Sequence, residues 1–291
     1  MSAPLFERVA IVGFGLIGGS LARALRRRWP AGRIVAIDRR PVVESALGLG
    51  AADEGAGDLA AASGADLIVL AAPVRQNIAV LRELGGAIRE TALVTDVGST
   101  KRATVEASRQ LPARLRFVGG HPLAGAATGG LDATRDDLFT GRPWILTPIP
   151  QCDPQDVETL RALIDGLGAV PKTMDPIAHD RLMAYLSHLP QIAVSALMQV
   201  VGERAGAEGL ALAGTGLRDT TRLASSPAST WRDVTATNVD ALGSAIDELT
   251  TALQRLKSDL TVGDELERVF GTAHKWKRVL DDSNAASRED S

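Results

Sequence analysis

The chain has 291 residues, a length that predicts two domains rather than one. Its formal net charge of −3 and its 45% hydrophobic content argue against a partner with the charge of nucleic acid or an anionic membrane. A single cysteine excludes an internal disulfide and indicates a reducing compartment, for which we predict the cytoplasm. Nowhere do 18 uncharged apolar residues follow one another, so no membrane span is predicted.

Short apolar runs alternate with helical patterns through the first half of the chain. This order is typical of a parallel sheet with crossover helices, and the continuous apolar character of the runs suits strands buried on both faces. The predicted strands are Arg8–Val12, Ile34–Ile37, Leu67–Ala71, Leu93–Asp96, Phe117–Gly119 and Trp144–Thr147. We therefore predict an α/β fold with a Rossmann-type parallel sheet over residues 1–150.

A glycine-rich loop, Gly13-Phe14-Gly15-Leu16-Ile17-Gly18, follows the first predicted strand and opens a helix. Gly13, Gly15 and Gly18 allow a tight turn, close approach of a pyrophosphate and close packing of helix on strand. The amides of the first helical turn, which includes Leu16 and Ile17, can bind the phosphates. The pattern predicts a dinucleotide site.

Asp38 comes twenty residues after Gly18, where a carboxylate can bind the hydroxyls of a ribose. It favours NAD, because its charge would repel the 2′-phosphate of NADP. Arg39 and Arg40 leave NADP possible, although we interpret them as solvated turn residues. Ala72 and Pro73, beyond the third strand, are predicted to form a second contact surface for the cofactor. No metal site is predicted.

His121 follows a predicted strand in Gly119-Gly120-His121-Pro122, at the carboxyl edge of the sheet, where ligands bind in open α/β folds. A histidine held there is a candidate general base. Ser99 comes just after the preceding strand and is expected nearby, and it can also cap the helix that follows. His121 and Ser99 are therefore the candidate catalytic residues.

Helical periodicity dominates after a proline-rich boundary at Pro148–Pro154. One short β-like segment interrupts it at Val170–Met174. We predict an all-helical domain over residues 151–280 and a disordered tail over residues 281–291. Because some helices are apolar on more than one face, this domain is expected to pair with a second copy in a homodimer.

One predicted helix carries four polar residues at helical spacing, namely Arg181, Tyr185, His188 and Ser195. A lone helical histidine is more often a satisfied core residue, but four polar residues in one stripe require partners or a cavity. Pro190 is expected to kink this helix. His179, near its start, is interpreted as a surface or capping residue.

Arg218 and Arg222 lie four residues apart in GLRDTTR, and Asp219 could orient the guanidinium of Arg222. The spacing fits surface ion pairing, and it equally fits a fork that binds a carboxylate at two points. Both interpretations stay open from the spacing alone.

The segments GFGLIGGS, DVGSTK, GGHPLAG, HDRLMAYLSHLPQ and GLRDTTRLASSP together resemble the prephenate/arogenate dehydrogenase family of tyrosine biosynthesis. The resemblance implies a Rossmann domain followed by an all-helical dimerisation domain. It also implies nicotinamide-dependent oxidative decarboxylation of prephenate or arogenate to 4-hydroxyphenylpyruvate or tyrosine.

The resemblance implies roles for individual residues. His121 would take the proton of the ring hydroxyl of the substrate, helped by Ser99. His188 would line the substrate pocket, Arg222 would bind a substrate carboxylate, and Trp231 would lie near the pocket mouth. The predicted substrate-binding set is completed by Tyr185, Arg218, Asp219 and Thr128.

Ala127 is a departure from the family pattern, because many prephenate-using relatives have a glutamate at this position. From this small, uncharged loop we predict that arogenate is used at least as well as prephenate.

Two alternative functions remain. One is a β-hydroxyacid or 6-phosphogluconate-type dehydrogenase, which typically uses a lysine where this chain offers His188. The other is a nicotinamide-sensing protein without catalysis, which would not need His121, Ser99 and Arg222 together.

Overall fold

The computed structural model describes residues 3–30, 32–126 and 129–289, so Ala127 and Thr128 lie outside the described residues. The chain divides into two compact units, residues 1–239 and residues 240–291. No helix in the described ranges has both the length and the apolar character that crossing a bilayer requires. The domain boundary predicted at residue 150 stays a prediction.

A single sheet crosses the first unit in the order β3-β2-β1-β4-β5-β6-β7-β8. Neighbouring strands are parallel except for β6 and β7, which are antiparallel. The strands are β1 Arg8–Val12, β2 Arg33–Ile37, β3 Glu54–Ala56, β4 Leu67–Leu70, β5 Ala92–Asp96, β6 Leu115–Pro122, β7 Pro143–Thr147 and β8 Val170–Thr173.

Helices connect several of the strands in the first unit, and further helices follow the last strand. They are α1 Leu16–Arg28, α2 Arg40–Gly48, α3 Val74–Ala87, α4 Arg102–Ser108, α5 Pro154–Gly166, α6 Pro176–Met183, α7 Leu189–Ala211, α8 Thr215–Thr220 and α9 Ala228–Thr237. A π-helical turn, Ala184–His188, joins α6 to α7, and short 3₁₀ turns occupy Leu59–Ala62, Leu131–Ala133 and Arg222–Ser225.

Helices α10, Val239–Ser258, and α11, Asp264–Glu289, form nearly all of the second unit. Helix α11 continues through residues 281–289, where the sequence predicts a disordered tail. The helical C-terminal region and the mostly parallel N-terminal sheet confirm the predicted fold class.

Alternation along the strands explains why both faces of the sheet are covered. In β1, Val9 and Ile11 belong to one buried core, whereas Ala10 and Val12 belong to the other. Successive side chains of a strand point to opposite faces, so an apolar residue at every position requires helices on both sides. Helices α1 and α5 contribute to the first core and α3 to the second. This layering leaves the strand ends as the place for a ligand.

Candidate active site

The glycine-rich loop packs closely against the end of β4. Gly13 has a φ of +93°, and a Cβ there would lie 2.4 Å from the backbone nitrogen of Ala72. A Cβ on Gly18 would lie 2.1 Å from the carbonyl oxygen of Gly13, whereas a Cβ on Gly15 would meet nothing within 4 Å. Gly13 and Gly18 are therefore required by packing, and the open space beside Gly15 is where a pyrophosphate can approach the backbone.

Helix α1 starts at Leu16 with no side chain capping its first turn, which also contains Ile17 and no acidic residue. A helix N-terminus in this state presents backbone amides and a partial positive charge to an anion. The residues around Gly15 therefore fit the pyrophosphate of a dinucleotide.

Asp38 lies beside the same loop at the end of β2. Its Oδ2 accepts a 2.7 Å hydrogen bond from the amide of Phe14, and its Oδ1 accepts a 2.6 Å bond from the amide of Arg39. A carboxylate can accept further hydrogen bonds, so ribose hydroxyls could still be bound. The Arg39 side chain is 88% exposed, whereas Arg40 is paired with Glu44 at 2.7 Å.

Ala72 and Pro73 lie in the turn between β4 and α3, and their contact with the cofactor stays a prediction. This turn is held by Asn77, which the sequence analysis missed. Its Oδ1 accepts from the amide of Ala72 at 3.1 Å, and its Nδ2 donates to the carbonyl of Leu70 at 3.1 Å.

His121 lies within β6 rather than in a loop after it, which corrects the sequence expectation. The first half of β6 pairs with β5, and its second half, Gly119–Pro122, pairs antiparallel with β7. That second pairing extends the strand by three residues beyond the predicted end at Gly119. Ladder hydrogen bonds hold the backbone on this edge and so fix the point from which the His121 side chain extends, and the residue as a whole is half-buried.

His179 makes the main contact of that ring, and its interpretation as a surface or capping residue was wrong. Its Nε2 lies 2.9 Å from Nδ1 of His121, and its Nδ1 lies 2.8 Å from Oδ1 of Asp180. The His179 side chain is fully buried, and the residue that caps α6 is Asp175. The adjacent His-Asp pair was the available clue in the sequence.

Asp180 also caps helix α4 from outside that helix. Its two carboxylate oxygens accept from the amides of Lys101 at 2.7 Å and Arg102 at 2.9 Å. The predicted capping role of Ser99 is therefore wrong, since α4 starts three residues later. Ser99 is partly exposed in the loop after β5, and its neighbour Thr100 contacts Thr237 of α9 through their hydroxyls at 2.7 Å.

Lys101 is a second residue that the sequence analysis missed. Its side chain is completely buried, and its ammonium group donates to the Asp96 carboxylate and, at 2.7 Å, to the carbonyl of Gly120. The lysine thereby ties the end of β5 to the residue before His121. A buried charge is retained only where it is paired in this way.

The pKa of His121 is lowered well below its ordinary value of 6.5. Burial is the main cause, and electrostatic interactions with His179, Lys101 and His188 act in the same direction. The ring is therefore neutral at physiological pH, which is the state in which it can accept a proton.

His188 ends the π-helical turn and is buried, with 1% of its surface exposed. Its ring stands edge-on to Trp231 with 6.1 Å between the centroids. Its Nδ1 lies 3.2 Å from Nδ2 of Asn238, whose other bond goes to the carbonyl of Asp180 at 2.8 Å. Burial lowers its pKa to about 4.

The predicted polar stripe is not continuous. The wider π turn changes the helical register, so Arg181 and Tyr185 are exposed while His188 is buried. Pro190 lies in the first turn of α7, directly after the π turn that forms the irregularity of this helix.

Arg218 and Arg222 do not share one helix. Helix α8 ends at Thr220, and Arg222 begins a 3₁₀ turn. Both arginines and Asp219 are exposed, and they make no ion pair within the described part of the chain. The predicted orientation of Arg222 by Asp219 is thus not formed.

Gln191 attaches the Arg222 turn to α7, the helix that follows His188. Its Nε2 donates to the carbonyl of Leu223 at 2.9 Å, and its Oε1 accepts from the hydroxyl of Ser226 at 3.2 Å. Gln191 is buried, so this link is protected from water. It brings the Arg222 segment to the helix start that carries His188.

Two family models match the chain. Residues 21–172 match "Prephenate dehydrogenase, nucleotide-binding domain", and residues 175–272 match "Prephenate dehydrogenase, dimerization domain". The prephenate dehydrogenase of Bacillus subtilis is 35% identical over 282 residues, which cover 94% of this chain and 76% of that relative.

Solved structures with the same fold give a consistent result. The prephenate dehydrogenase from A. aeolicus, in complex with hydroxyphenyl propionate and NAD+, has a TM-score of 0.85 and 33% identity, covering 94% of this chain and 97% of that one. The Synechocystis arogenate dehydrogenase has a TM-score of 0.80 and 32% identity, covering 94% of this chain and 99% of that one.

Proposed function

Because the chain belongs to the prephenate dehydrogenase family, we propose that it catalyses the NAD-dependent oxidative decarboxylation of arogenate, prephenate or both. The products would be tyrosine from arogenate and 4-hydroxyphenylpyruvate from prephenate. The observation that carries the proposal is His121, neutral and hydrogen-bonded through Nδ1, in a strand of the nucleotide-binding domain. Family membership favours this reaction over the β-hydroxyacid and sensing alternatives.

In the proposed reaction, His121 takes the proton of the ring hydroxyl of the substrate at its Nε2. Loss of that proton turns the carbinol into a carbonyl as the hydride leaves the same carbon. The cyclohexadienone then loses its ring carboxylate as carbon dioxide, and the freed electron pair makes the ring aromatic with a phenolate oxygen. His121 returns its proton to that oxygen, which regenerates the neutral ring.

The residues that would hold the cofactor are the glycine loop around Gly15, the first turn of α1, Asp38, and the Ala72-Pro73 turn. When bound, nicotinamide supplies the hydride acceptor. Asp38 supports NAD, since its carboxylate lies where a 2′-phosphate would be repelled and already accepts two amide hydrogens. The similar A. aeolicus structure contains NAD+.

We assign substrate binding to His188, Arg222 and Trp231, and keep Ser99 as the predicted catalytic partner of His121. The exposed guanidinium of Arg222 is available for a carboxylate, and the buried His188 supplies a ring at the same helix start. Tyr185, Arg218, Asp219 and Thr128 remain predicted members of this set, Thr128 lying outside the described residues.

Arogenate is proposed to be used at least as well as prephenate, because Ala127 stands where many prephenate-using relatives have a glutamate and the small, uncharged loop around it looks like that of arogenate-preferring relatives. The similar Synechocystis protein is an arogenate dehydrogenase. This choice concerns only the side chain of the substrate and leaves the chemistry at His121 unchanged.

Steady-state kinetics with both substrates and both nicotinamides tests the proposal. We expect turnover with NAD, and a kcat/KM for prephenate no more than about tenfold above that for arogenate. His121→Ala should lower kcat by roughly 10²–10⁴-fold while NAD still binds. Absence of turnover with both substrates would contradict the function, and near-normal turnover of the variant would contradict the role of His121.

A further inference from the structure

A hydrogen-bonded line of three side chains runs from the carboxylate of Asp180 through His179 to His121. We propose that Asp180 and His179 are positioning residues that hold His121 in the tautomer with its proton on Nδ1 and its lone pair on Nε2. The inference rests on the proposed function, because it assigns to His121 the role of the base. It adds two residues that act through His121 without touching the substrate.

The direction of each hydrogen bond in the line follows from Asp180. Both of its carboxylate oxygens already accept from backbone amides, which can only donate. A carboxylate has no proton to give, so Nδ1 of His179, 2.8 Å from Oδ1, must donate. The other nitrogen of a neutral His179 ring, Nε2, is then an acceptor.

The same logic fixes His121. Its Nδ1 lies 2.9 Å from Nε2 of His179, and since that nitrogen accepts, Nδ1 of His121 must carry the proton. A neutral imidazole has one protonated nitrogen, so Nε2 of His121 is left with a free lone pair. That nitrogen is the one from which a base can act.

Burial makes this arrangement rigid. His179 is 0% and Asp180 3% exposed, so water does not compete for their hydrogen bonds. The carbonyl of Asp180 is held by Asn238 and its carboxylate by the start of α4. Reversing the line would leave a buried amide or ring nitrogen unpaired, at a cost comparable to a lost hydrogen bond.

The charges around His121 show why the line also matters after proton transfer. Lys101 is positive, and its ammonium is already matched by Asp96. His179 and His188 bring no negative charge, and both favour a neutral His121. Asp180 is therefore the carboxylate that can stabilise a protonated His121, through the ring of His179.

The test combines kinetics with the protonation state of each ring nitrogen, read from long-range ¹H–¹⁵N spectra of ¹⁵N-histidine-labelled protein. The chain has four histidines, so single substitutions assign the signals. In the unliganded protein, His121 should be protonated at Nδ1 and not at Nε2. A spectrum with the proton on Nε2 overturns the inference, whichever substrate the enzyme uses.

Asp180→Asn is the decisive variant, because its amide keeps the size of the side chain and removes the carboxylate charge that can stabilise a protonated His121. Without that charge, kcat should fall roughly 10²–10⁴-fold with little change in the KM for NAD. Asp156→Asn, which removes a buried partner of Arg116 away from the site, is the matched control and should change neither readout.

His179→Gln and His179→Leu provide a second comparison if Asp180→Asn does not fold. The glutamine can accept from Nδ1 of His121 through its Oε1, so it should retain at least about tenfold more kcat than the leucine variant. Equal activities of the two variants would overturn the inference. No turnover by the wild type, with the predicted tautomer present, would instead reject the proposed function alone.

Discussion

Asn238 and His188 form a buried pair in which Nδ2 of the amide lies 3.2 Å from Nδ1 of the ring. The opposite ring nitrogen, Nε2, is buried and has no hydrogen-bond partner among the described residues. If the amide donates to Nδ1, the proton of the neutral ring must sit on Nε2. An unpaired buried donor is costly, so it indicates a place where a ligand supplies the acceptor.

Asn238→Ala removes the group that fixes this tautomer. We expect the KM for arogenate or prephenate to rise about tenfold, with kcat within about threefold of the wild type, because substrate binding is weakened while the start of α4 still holds the Asp180 carboxylate. Ser108→Ala, which also removes a buried hydrogen-bonding group, is the control. A large loss of kcat at constant KM would show that Asn238 serves the chemistry instead.

Local sequence patterns predicted much of the N-terminal fold, because a continuous apolar run of strand length usually indicates a strand that is buried on both faces of a parallel sheet. All six predicted strands exist, with ends shifted by three residues or fewer. The strand β3 was missed, since its three residues, Glu54-Gly55-Ala56, have no apolar run. Strand β6 proved longer because its last residues pair with β7, a partner that comes twenty residues later.

Residues of the candidate site could be predicted from the sequence only where the residue type and its immediate neighbours indicate the role. His121 and the glycine loop fall in this class. His179 and Asn238 do not, because their roles arise from contacts 58 and 50 residues away in the chain. The π turn had a similar effect, since one change of helical register separated Tyr185 from His188.

Asp38 should control the choice of nicotinamide. Asp38→Ser removes the charge that would oppose a 2′-phosphate and leaves the exposed Arg39 free to pair with it. We expect the ratio of kcat/KM for NAD to that for NADP to fall by at least about tenfold. Asp53→Ser, which removes an acid beside the opposite end of β2, should leave the ratio unchanged. A wild type that prefers NADP would reverse the assignment.

Arg222 should bind a carboxylate of the substrate. Arg222→Ala is expected to raise KM for the substrate by roughly thirtyfold, equivalent to about 2 kcal/mol, with a smaller effect on kcat. Arg82→Ala is the matched control, since it also removes an exposed arginine, but from α3. Equal effects of the two substitutions would point to a general loss of positive charge.

Helix α7 should contribute to a homodimer. Of its 23 residues only Gln191 is buried, although its composition is largely apolar, and Val200 is 59% exposed. Val200→Lys should lower the mass measured by light scattering from twice the chain mass of 30.5 kDa towards the mass of a single chain. Leu49→Lys, at a residue 58% exposed near α2, should leave the mass unchanged. A monomeric wild type at micromolar concentration would contradict the prediction.

His188 should make the folded protein sensitive to mild acid. Its pKa is about 4 in the folded chain, whereas an unfolded histidine titrates near 6.5. Between these values the unfolded chain binds a proton that the folded chain does not, so stability must rise with pH across this window and fall as the solution is acidified. Between about pH 7 and about pH 5, His188 alone accounts for a loss of about 2 kcal/mol in the free energy of unfolding.

Urea unfolding of the wild type and of His188→Gln at both pH values measures this contribution, with chain concentration held constant. The variant should lose less stability on acidification by about 2 kcal/mol, while His121, whose pKa is lowered in the same direction, keeps part of the slope in both proteins. His274→Gln removes an exposed histidine and should keep the wild-type slope. If the free energy of unfolding of His188→Gln falls on acidification as steeply as that of the wild type, His188 is not held neutral by burial. The assignment of a proton to its Nε2 is then wrong as well.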